Sequence, residues 1–372
     1  MMSAMLRKRL FLTCLLPLVA CAGVSPAPEA IAAQEHPAAV LDEAGRQELQ
    51  RRTDAAVQAL ALGDHERTRA LAEAALELDP AAPRPRAVLG LALLRLAQQS
   101  TPPDLAIQNR GDGETLAAKR AAPADLVVGL LRARFLVESG HLSAAAAEGE
   151  ACLKLQGMTN QPDYVPLLAA TAGWCHELGE ERRASPWLIQ LAERVPDDAA
   201  VQYRLGDNLL QIADSPSMAA AGARAFAKSA DRAPDDSTAR LAVIACYVRA
   251  AELADKAGKA ADAAAMLGDA AKACADAEVR FPKLAEPLFC TGVVAEQRND
   301  GAAARAAYER ALQIEPAHLG ALLNLAALLD ASAQPADKDA AKALWRRALA
   351  SDAADGGLKA AERTRIAERI AQ

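Results

Sequence analysis

Aromatic residues are scarce in this 372-residue chain: they make up 3% of it, although 52% of its residues are hydrophobic. Much of the apolar content is alanine, the strongest helix former and a residue small enough to let helices approach closely. A β-sandwich or an α/β core requires more valine, isoleucine and phenylalanine than this chain contains. The composition therefore favours an all-α protein.

Blocks of charge of one sign are also missing. The 42 basic and 48 acidic residues give a net charge of −6 and are interspersed, so no basic stripe runs along the chain. Proteins that bind nucleic acids use such clusters of lysine and arginine to contact phosphates. We therefore expect no nucleic-acid partner.

Sequence motifs of catalysis and of cofactor binding are absent as well. The chain has no HExxH, no GxSxG, no P-loop and no GxGxxG after a predicted strand. No two of its five histidines have metal-ligand spacing on one helix. Its carboxylates are spread over predicted helix faces, where such groups commonly solvate a surface. We expect no enzymatic activity, no metal and no cofactor.

The N-terminus has the pattern of a secretory signal. Basic residues at 7–9 precede an apolar run at 10–19, which is too short to span a bilayer as a helix. The following Leu-Val-Ala-Cys at 18–21 resembles the lipobox of bacterial lipoproteins, in which the cysteine is acylated and becomes the new N-terminus. An ordinary signal peptide with a chance cysteine at its border is the alternative.

The lipobox resemblance implies that residues 1–20 are removed, that Cys21 is lipidated and that the chain is anchored in the cell envelope. Ala22 rather than aspartate follows the cysteine. By resemblance to Gram-negative lipoproteins, this residue implies the periplasmic face of the outer membrane. Residues 21–39, with prolines among alanines, predict a flexible tether.

A helical pattern recurs from residue 40 to residue 356. The stretches ALAEAALELDP at 70–80 and AAYERALQIEP at 306–316 end at proline after the same arrangement of alanine, glutamate and leucine. The clearest unit spans 285–318, where small residues permit two helices to cross closely and a proline stops the second helix. Its characteristic residues are Gly292, Ala304, Tyr308, Ala311 and Pro316.

This unit resembles the tetratricopeptide repeat, and other units of varying fidelity carry Gly90 and Gly206 at the position of Gly292. The resemblance implies an α-solenoid of about eight helix pairs in a right-handed superhelix, with a polar capping helix over 357–372. Residues 100–124 lose the pattern. They predict an irregular insert with at most a short helix near 115–121, in which the tripeptide Arg-Gly-Asp at 110–112 is a chance turn sequence.

The resembled family binds partners on the concave face that its first helices line. The same register predicts that this groove contains Arg84, Arg134, Glu138, His176, Tyr203, Arg204, Asp207, Arg249, Phe289 and Glu296. Arginines with a few rings suit a peptide that bears carboxylates. Family members that capture C-terminal carboxylates use a Lys/Asn/Arg set, and only Asn324 matches a position of that set.

The cysteines of the predicted mature chain allow two interpretations. The register places Cys152 beside Cys175, and Cys274 between Cys246 and Cys290. Disulfides in an oxidising compartment are one interpretation. Reduced, buried packing residues are the other.

These observations predict a non-catalytic, membrane-anchored scaffold that binds proteins or peptides, in assembly of an envelope structure such as a pilus, a secretion complex or an outer-membrane complex. The alternative is an accessory lipoprotein that positions enzymes of cell-wall metabolism or polysaccharide export. A catalyst would need a site in the insert or the groove.

Overall fold

The structure, a computed structural model, describes residues 39–155 and 157–371. The predicted signal peptide, Cys21 and the tether as far as residue 38 lie outside the described residues. The chain divides into two compact units, of which one ends at Arg194 and the other begins at Val195. In the described ranges the regular elements are α-helices and one 3₁₀ turn, Met158–Asn160, with no strand.

The unit that ends at Arg194 contains four consecutive helix pairs. In each pair the first and second helices pack against each other, and each pair also contacts the next. The helices are α1 Glu43–Ala61, α2 His65–Leu78, α3 Pro83–Ala97, α4 Leu105–Ala121, α5 Leu126–Glu138, α6 Leu142–Leu153, α7 Tyr164–Glu177 and α8 Glu181–Arg194.

The unit that begins at Val195 contains four more pairs and a final single helix. Its helices are α9 Ala199–Ile212, α10 Pro216–Arg232, α11 Ser237–Lys256, α12 Ala260–Arg280, α13 Glu286–Gln297, α14 Gly301–Ile314, α15 Leu319–Asp330, α16 Pro335–Asp355 and α17 Ala360–Ala371. The prediction of an all-α array of about eight helix pairs with a C-terminal capping helix is confirmed.

Aspartates begin many of these helices. The Asp42 carboxylate accepts the backbone N–H of Gly45 at 2.7 Å, and Asp125 accepts the N–H of Val127 at 2.9 Å. Each carboxylate satisfies a donor that has no partner within its helix, and it also lies at the positive end of the helix dipole. The sequence thus marks the beginning of each such helix with a short acidic side chain.

Prolines follow the ends of equivalent second helices. Helix α2 ends at Leu78, two residues before Pro80, and α14 ends at Ile314, two residues before Pro316. Proline has no N–H to donate to the preceding turn, so the chain leaves the helix and turns into the next pair. Within a pair the turn is tighter, and Gly63 between α1 and α2 adopts a φ of +76° there.

Glycines in the first helices provide room for side chains of the second helices. A Cβ at Gly206 would lie 2.7 Å from the Phe226 ring, and one at Gly292 would collide with the ring of Tyr308. Ala304 and Ala311 on α14 are fully buried in the same core as Tyr308. In the α3–α4 pair a Cβ at Gly90 would lie 2.6 Å from the backbone oxygen of Gly111.

The prediction of an irregular insert at 100–124 is wrong. Residues 105–121 form α4, which packs along α3 as a complete second helix. Asp104 starts it by accepting the N–H groups of Ala106 and Ile107 at 2.9 and 3.1 Å. The tripeptide at 110–112 is helical rather than a turn, and its Gly111 and Asp112 are buried.

Helix α17 covers the end of the second unit. Ile366 is buried and Ile370 is partly buried against the core that also contains Leu358. Arg369 on the polar side reaches Asp330 at the end of α15, with a contact of 2.8 Å. Among the described helices, none combines the length and the apolar character needed to span a membrane.

Candidate functional site

The first helices of successive pairs lie side by side in each unit. Helix α3 contacts α1 and α5, and α5 contacts α7; in the other unit α11 contacts α9 and α13. We call the outward surface of these helices, together with α15, the first-helix face of each unit. All ten predicted groove residues lie on first helices, so this face is the candidate site.

Two of the predicted residues join α3 to α5. Arg84 Nε donates to Asp125 at 2.7 Å, and Glu138 accepts two bonds from Arg95 at 2.9 and 2.8 Å. The paired bonds to Glu138 raise the pKa of Arg95. Arg84 and Glu138 therefore tie neighbouring repeats together. Arg95 is not among the predicted groove residues, although its place three helical turns after Arg84 puts it on the same side of α3.

Arg134 and His176 are exposed on α5 and α7 of the same unit. The Nδ1 atom of His176 lies 2.7 Å from a carboxylate oxygen of Glu181 in the first turn of α8. These two side chains reach solvent on the first-helix face, so they remain candidates for contact with a partner.

Helix α9 carries three predicted residues within little more than one turn. The ring of Tyr203 is half-buried and meets the buried ring of Phe226 edge-on, with centroids 5.0 Å apart and planes at 78°. Arg204 beside it is exposed. Asp207 accepts a hydrogen bond from Gln211 at 2.8 Å. The structure thus brings a ring, a cation and a carboxylate together on α9.

Arg249 connects α11 to the end of α9. Its Nη2 atom donates to the backbone oxygen of Ala213 at 3.3 Å, and its Nη1 atom lies 3.3 Å from Glu252. The side chain is largely buried. Arg249 thus acts as a further tie between repeats.

The prediction that Phe289 is an exposed anchor is wrong. Its side chain is only 8% exposed, and its ring packs 5.9 Å from Tyr308 and 5.0 Å from His318, measured between centroids. The glycine at 320 leaves room for the ring, since a Cβ there would lie 2.9 Å from it. Phe289 fills the core because the next pair of helices covers it.

Glu296 belongs to a partly buried polar network that spans three helices. Tyr308 on α14 donates its hydroxyl proton to Glu296 on α13 and accepts a bond of 3.2 Å from Asn324 on α15. Burial raises the pKa of Glu296, although the bond from Tyr308 opposes this change. Asn324 thus completes the network around Tyr308.

No protein-family model matches this chain, and no curated protein matches it. Among solved structures, the Naa15/Naa10 complex bound to HypK-THB matches 86% of this chain and 46% of that one at 13% identity, with a TM-score of 0.55. TTC0263, a thermophilic TPR protein of Thermus thermophilus, matches 56% of this chain and 100% of its own at 19% identity, with a TM-score of 0.41. The likeness to the Naa15/Naa10 complex is one of fold.

Eight helix pairs, four in each unit, establish the architecture, and in four of these pairs a glycine of the first helix lies against a side chain of the second. The chain has the tetratricopeptide-repeat (TPR) fold. In those four pairs the residue that faces the first-helix glycine differs, and it is Thr115 in α4, Cys152 in α6, Phe226 in α10 and Tyr308 in α14.

One cluster of metal-ligand types lies in the TPR unit that begins at Val195. His318, Glu286 and Glu315 bring one ligand atom each within 4.8 Å of one another. However, the Nδ1 atom of His318 accepts the N–H of Ala321 at 3.1 Å as the N-cap of α15, so Nε2 carries the proton and donates to Glu286 at 2.6 Å. Because both ring nitrogens are engaged, His318 serves as a helix cap.

All five cysteines in the described part of the TPR array are buried free thiols. Burial raises the pKa of Cys175 to about 11 and that of Cys274 to about 12. The structure therefore corresponds to the second interpretation, in which these residues are neutral packing groups. Cys274 and Cys290 are close enough to influence each other electrostatically.

Proposed function

We propose that this TPR chain is a non-catalytic scaffold that binds protein segments on its first-helix face. The observation that supports the proposal best is the cluster on α9, where the half-exposed Tyr203 is followed by the exposed Arg204 and, one turn later, by the carboxylate of Asp207. Tyrosine and arginine are the residue types enriched at the anchor positions of protein interfaces.

The Tyr203 ring is held in place before any partner binds. Its edge-on contact with Phe226 restricts its rotation, and Phe226 in turn fills the space that Gly206 leaves between α9 and α10. A side chain that is already ordered loses little conformational entropy when a partner covers it. This arrangement favours Tyr203 as the anchor rather than the flexible Arg204.

The chemistry of α9 suits a partner segment with an apolar side chain and a carboxylate. Tyr203 offers an apolar surface with a polar tip, and Arg204 offers a planar fork of donors that fits a carboxylate. Asp207 adds an acceptor for an amide or a cation on the same segment. The partner is therefore expected to be a peptide or a protein loop of mixed character.

We further propose that Cys21 anchors the chain by a lipid to the periplasmic face of the outer membrane, where it takes part in assembling an envelope structure. An accessory lipoprotein that positions cell-wall or polysaccharide-export enzymes is the second candidate. The support for both is the basic and apolar signal pattern that ends at Cys21. Acyl chains contribute about 0.8 kcal/mol per buried CH₂ group, so two or three of them anchor a protein durably.

Photo-crosslinking in living cells tests the binding face. A photoreactive amino acid replaces Arg204 on α9, and the control protein carries it instead of Lys228, which is exposed on the second helix of the same pair. The proposal predicts one dominant adduct from position 204 and a much weaker one from position 228. Equal capture from both positions would contradict it.

Fractionation of cells tests the anchor independently of the binding face. The Cys21→Ala variant is expected to leave the membrane fraction, whereas Cys14→Ala, which changes a cysteine inside the apolar run, is expected to remain there. Membrane association of Cys21→Ala equal to that of the unchanged chain would overturn the lipoprotein proposal. It would leave the proposal about α9 intact.

A further inference from the structure

Lys119 and Cys152 are in direct contact between α4 and α6. The Nζ atom of Lys119 lies 2.8 Å from the Sγ atom of Cys152. N–H···O bonds have lengths of about 2.9–3.0 Å, and bonds to the larger sulfur atom are longer still. The nitrogen and the sulfur are therefore closer to each other than the two atoms of an ordinary N–H···S hydrogen bond. A single oxygen atom bonded to both atoms would span a gap of this size.

The surrounding residues hold the two side chains in this position. Lys119 Nζ also lies 2.9 Å from a Glu148 oxygen and donates to the backbone oxygen of Pro123 at 3.1 Å. On α5, Gly129 leaves the space that the sulfur occupies, because a Cβ at this position would collide with Cys152 Sγ. Neither side chain can move away without breaking several contacts.

The pair lies close to the protein surface. Cys152 itself is fully buried, but the Lys119 side chain remains 17% exposed and that of Glu148 22% exposed. The sulfur therefore lies directly beneath two side chains that reach the solvent.

We propose that Lys119 and Cys152 form an oxidative cross-linking site, at which peroxide joins the lysine nitrogen to the cysteine sulfur through one oxygen atom. The two residues come from the second helices of successive pairs. The bond would therefore tie one repeat covalently to the next. It would also close a loop in the unfolded chain and so stabilise the folded unit.

The chemistry consumes two molecules of peroxide. The Cys152 sulfur attacks one peroxide, an S–O bond forms as the O–O bond breaks, and the products are a sulfenic acid and water. The unprotonated fraction of Lys119, which alkaline pH increases, attacks the second peroxide and becomes a hydroxylamine, with release of another water. The hydroxylamine oxygen then attacks the sulfenic sulfur and expels a third water. Sulfur and nitrogen each lose two electrons, and each peroxide accepts two.

Mass spectrometry of the peroxide-treated full chain tests the proposal. Burial raises the pKa of the Cys152 thiol, so the treatment is carried out at alkaline pH, where more of the thiol is ionised. After alkylation of free thiols and digestion, we expect the peptides containing residues 119 and 152 to be joined with a gain of one oxygen and a loss of two hydrogens. Dithiothreitol should separate them again.

Variants supply the controls. Lys119→Arg keeps the positive charge but lacks the amine, so the joined peptide should fall at least tenfold; Lys154→Arg, beside Cys152 in sequence, should leave it unchanged. Recovery of Cys152 from the treated unchanged chain as an alkylated thiol or a sulfinic acid, without any joined peptide, would overturn the proposal. A joined peptide that lacks the additional oxygen would also overturn it. These outcomes do not depend on whether either variant folds.

Discussion

At the scale of single residues, the packing of the α13–α14 pair depends on a contact between a glycine and a large side chain. Gly292 faces the ring of Tyr308, whose side chain is fully buried, and Tyr308 in turn bonds to Glu296 and Asn324. Because the ring occupies the place of a glycine Cβ, position 292 tolerates no other residue without a shift of α14.

The variant Gly292→Ala should destabilise the chain by about 2 kcal/mol, because the added methyl group forces the Tyr308 ring out of its position. Gly268→Ala is the matched control: Gly268 lies within α12, and its nearest neighbour is a flexible arginine end at 4.0 Å. The free energy of unfolding of that variant should rise by about 0.5–1 kcal/mol, because alanine has a higher helix propensity than glycine. Urea unfolding monitored by circular dichroism measures both, and destabilisation by both substitutions would contradict the account.

Two fully buried threonines have opposite hydrogen-bonding environments. The hydroxyl of Thr171 in α7 has no hydrogen-bond partner, whereas that of Thr115 in α4 donates to the backbone oxygen of Asp112 at 3.0 Å and accepts from Arg132 at 2.7 Å. A buried polar group without a partner costs about 1–3 kcal/mol.

We therefore expect Thr171→Val to stabilise the chain by about 1 kcal/mol and Thr115→Val to destabilise it by a similar amount. Thermal unfolding of the two variants beside the unchanged chain checks this expectation. If both substitutions lower the midpoint equally, the hydroxyl of Thr171 has a partner after all.

The raised pKa of Glu296 predicts that the stability of the chain depends on pH. Its pKa in the folded chain is raised above the ordinary glutamate value of 4.5, chiefly by burial, so the folded state binds a proton more tightly than the unfolded state does. Stability should therefore fall as the pH rises from about 4.5 through the folded pKa. Glu296→Gln carries no such charge and should be the more stable chain at neutral pH.

Denaturant unfolding of both chains at pH 4 and pH 7 measures this effect. The advantage of Glu296→Gln should be largest at pH 7 and should shrink on acidification, because protonation makes the glutamate as neutral as the glutamine. An advantage of the same size at both pH values would show that burial of the charge is not its cause.

At the scale of helices, α4 shows where the sequence pattern fails. Residues 105–121 carry two glycines and a buried Asp112 that bonds to Arg132, features that differ from the amphipathic pattern of the other second helices. Gly111 is required because the backbone of α3 comes very close there. The capping aspartate before this stretch was the sequence signal that could have identified the helix.

The variant Asp104→Ala should destabilise the unit that ends at Arg194 by about 1 kcal/mol, because it removes the acceptor for the N–H groups of Ala106 and Ile107. Asp104→Ser keeps a capping oxygen and should recover most of the loss. Hydrogen exchange of the amides in the first turn of α4 measures the effect locally. Equal protection in the alanine variant and the unchanged chain would contradict the assignment of Asp104 as the cap.

Contacts between helices also explain why the environment of the groove residues could be predicted only in part. The register placed all ten residues on first helices, since helical periodicity alone determines that property. Arg84 and Arg249 make bonds to neighbouring repeats, and Phe289 is covered by one, so the environment of each depends on a residue about 30 or more positions away. Contacts between residues so far apart along the chain cannot be read from a single sequence.

At the scale of the whole molecule, the number of repeats was predictable because each pair repeats the same local signals. Caps, turn glycines and terminal prolines act within one pair, and within each unit a pair packs mainly against its immediate neighbours. A wrong prediction for one repeat, such as the irregular insert at 100–124, therefore does not affect the predictions for the others. Recognition of a partner depends instead on exposed residues such as Arg204, whose identity no packing rule constrains.

The most direct test of the scaffold proposal is the yield of photo-crosslinked adduct from position 204 in cells, compared between the chain with Tyr203 and its Tyr203→Ala variant. Truncation of the anchor should reduce the dominant adduct at least tenfold while the level and the unfolding midpoint of the scaffold stay close to those of the unchanged chain. An undiminished adduct in a folded Tyr203→Ala variant would contradict the assignment of α9 as the binding surface.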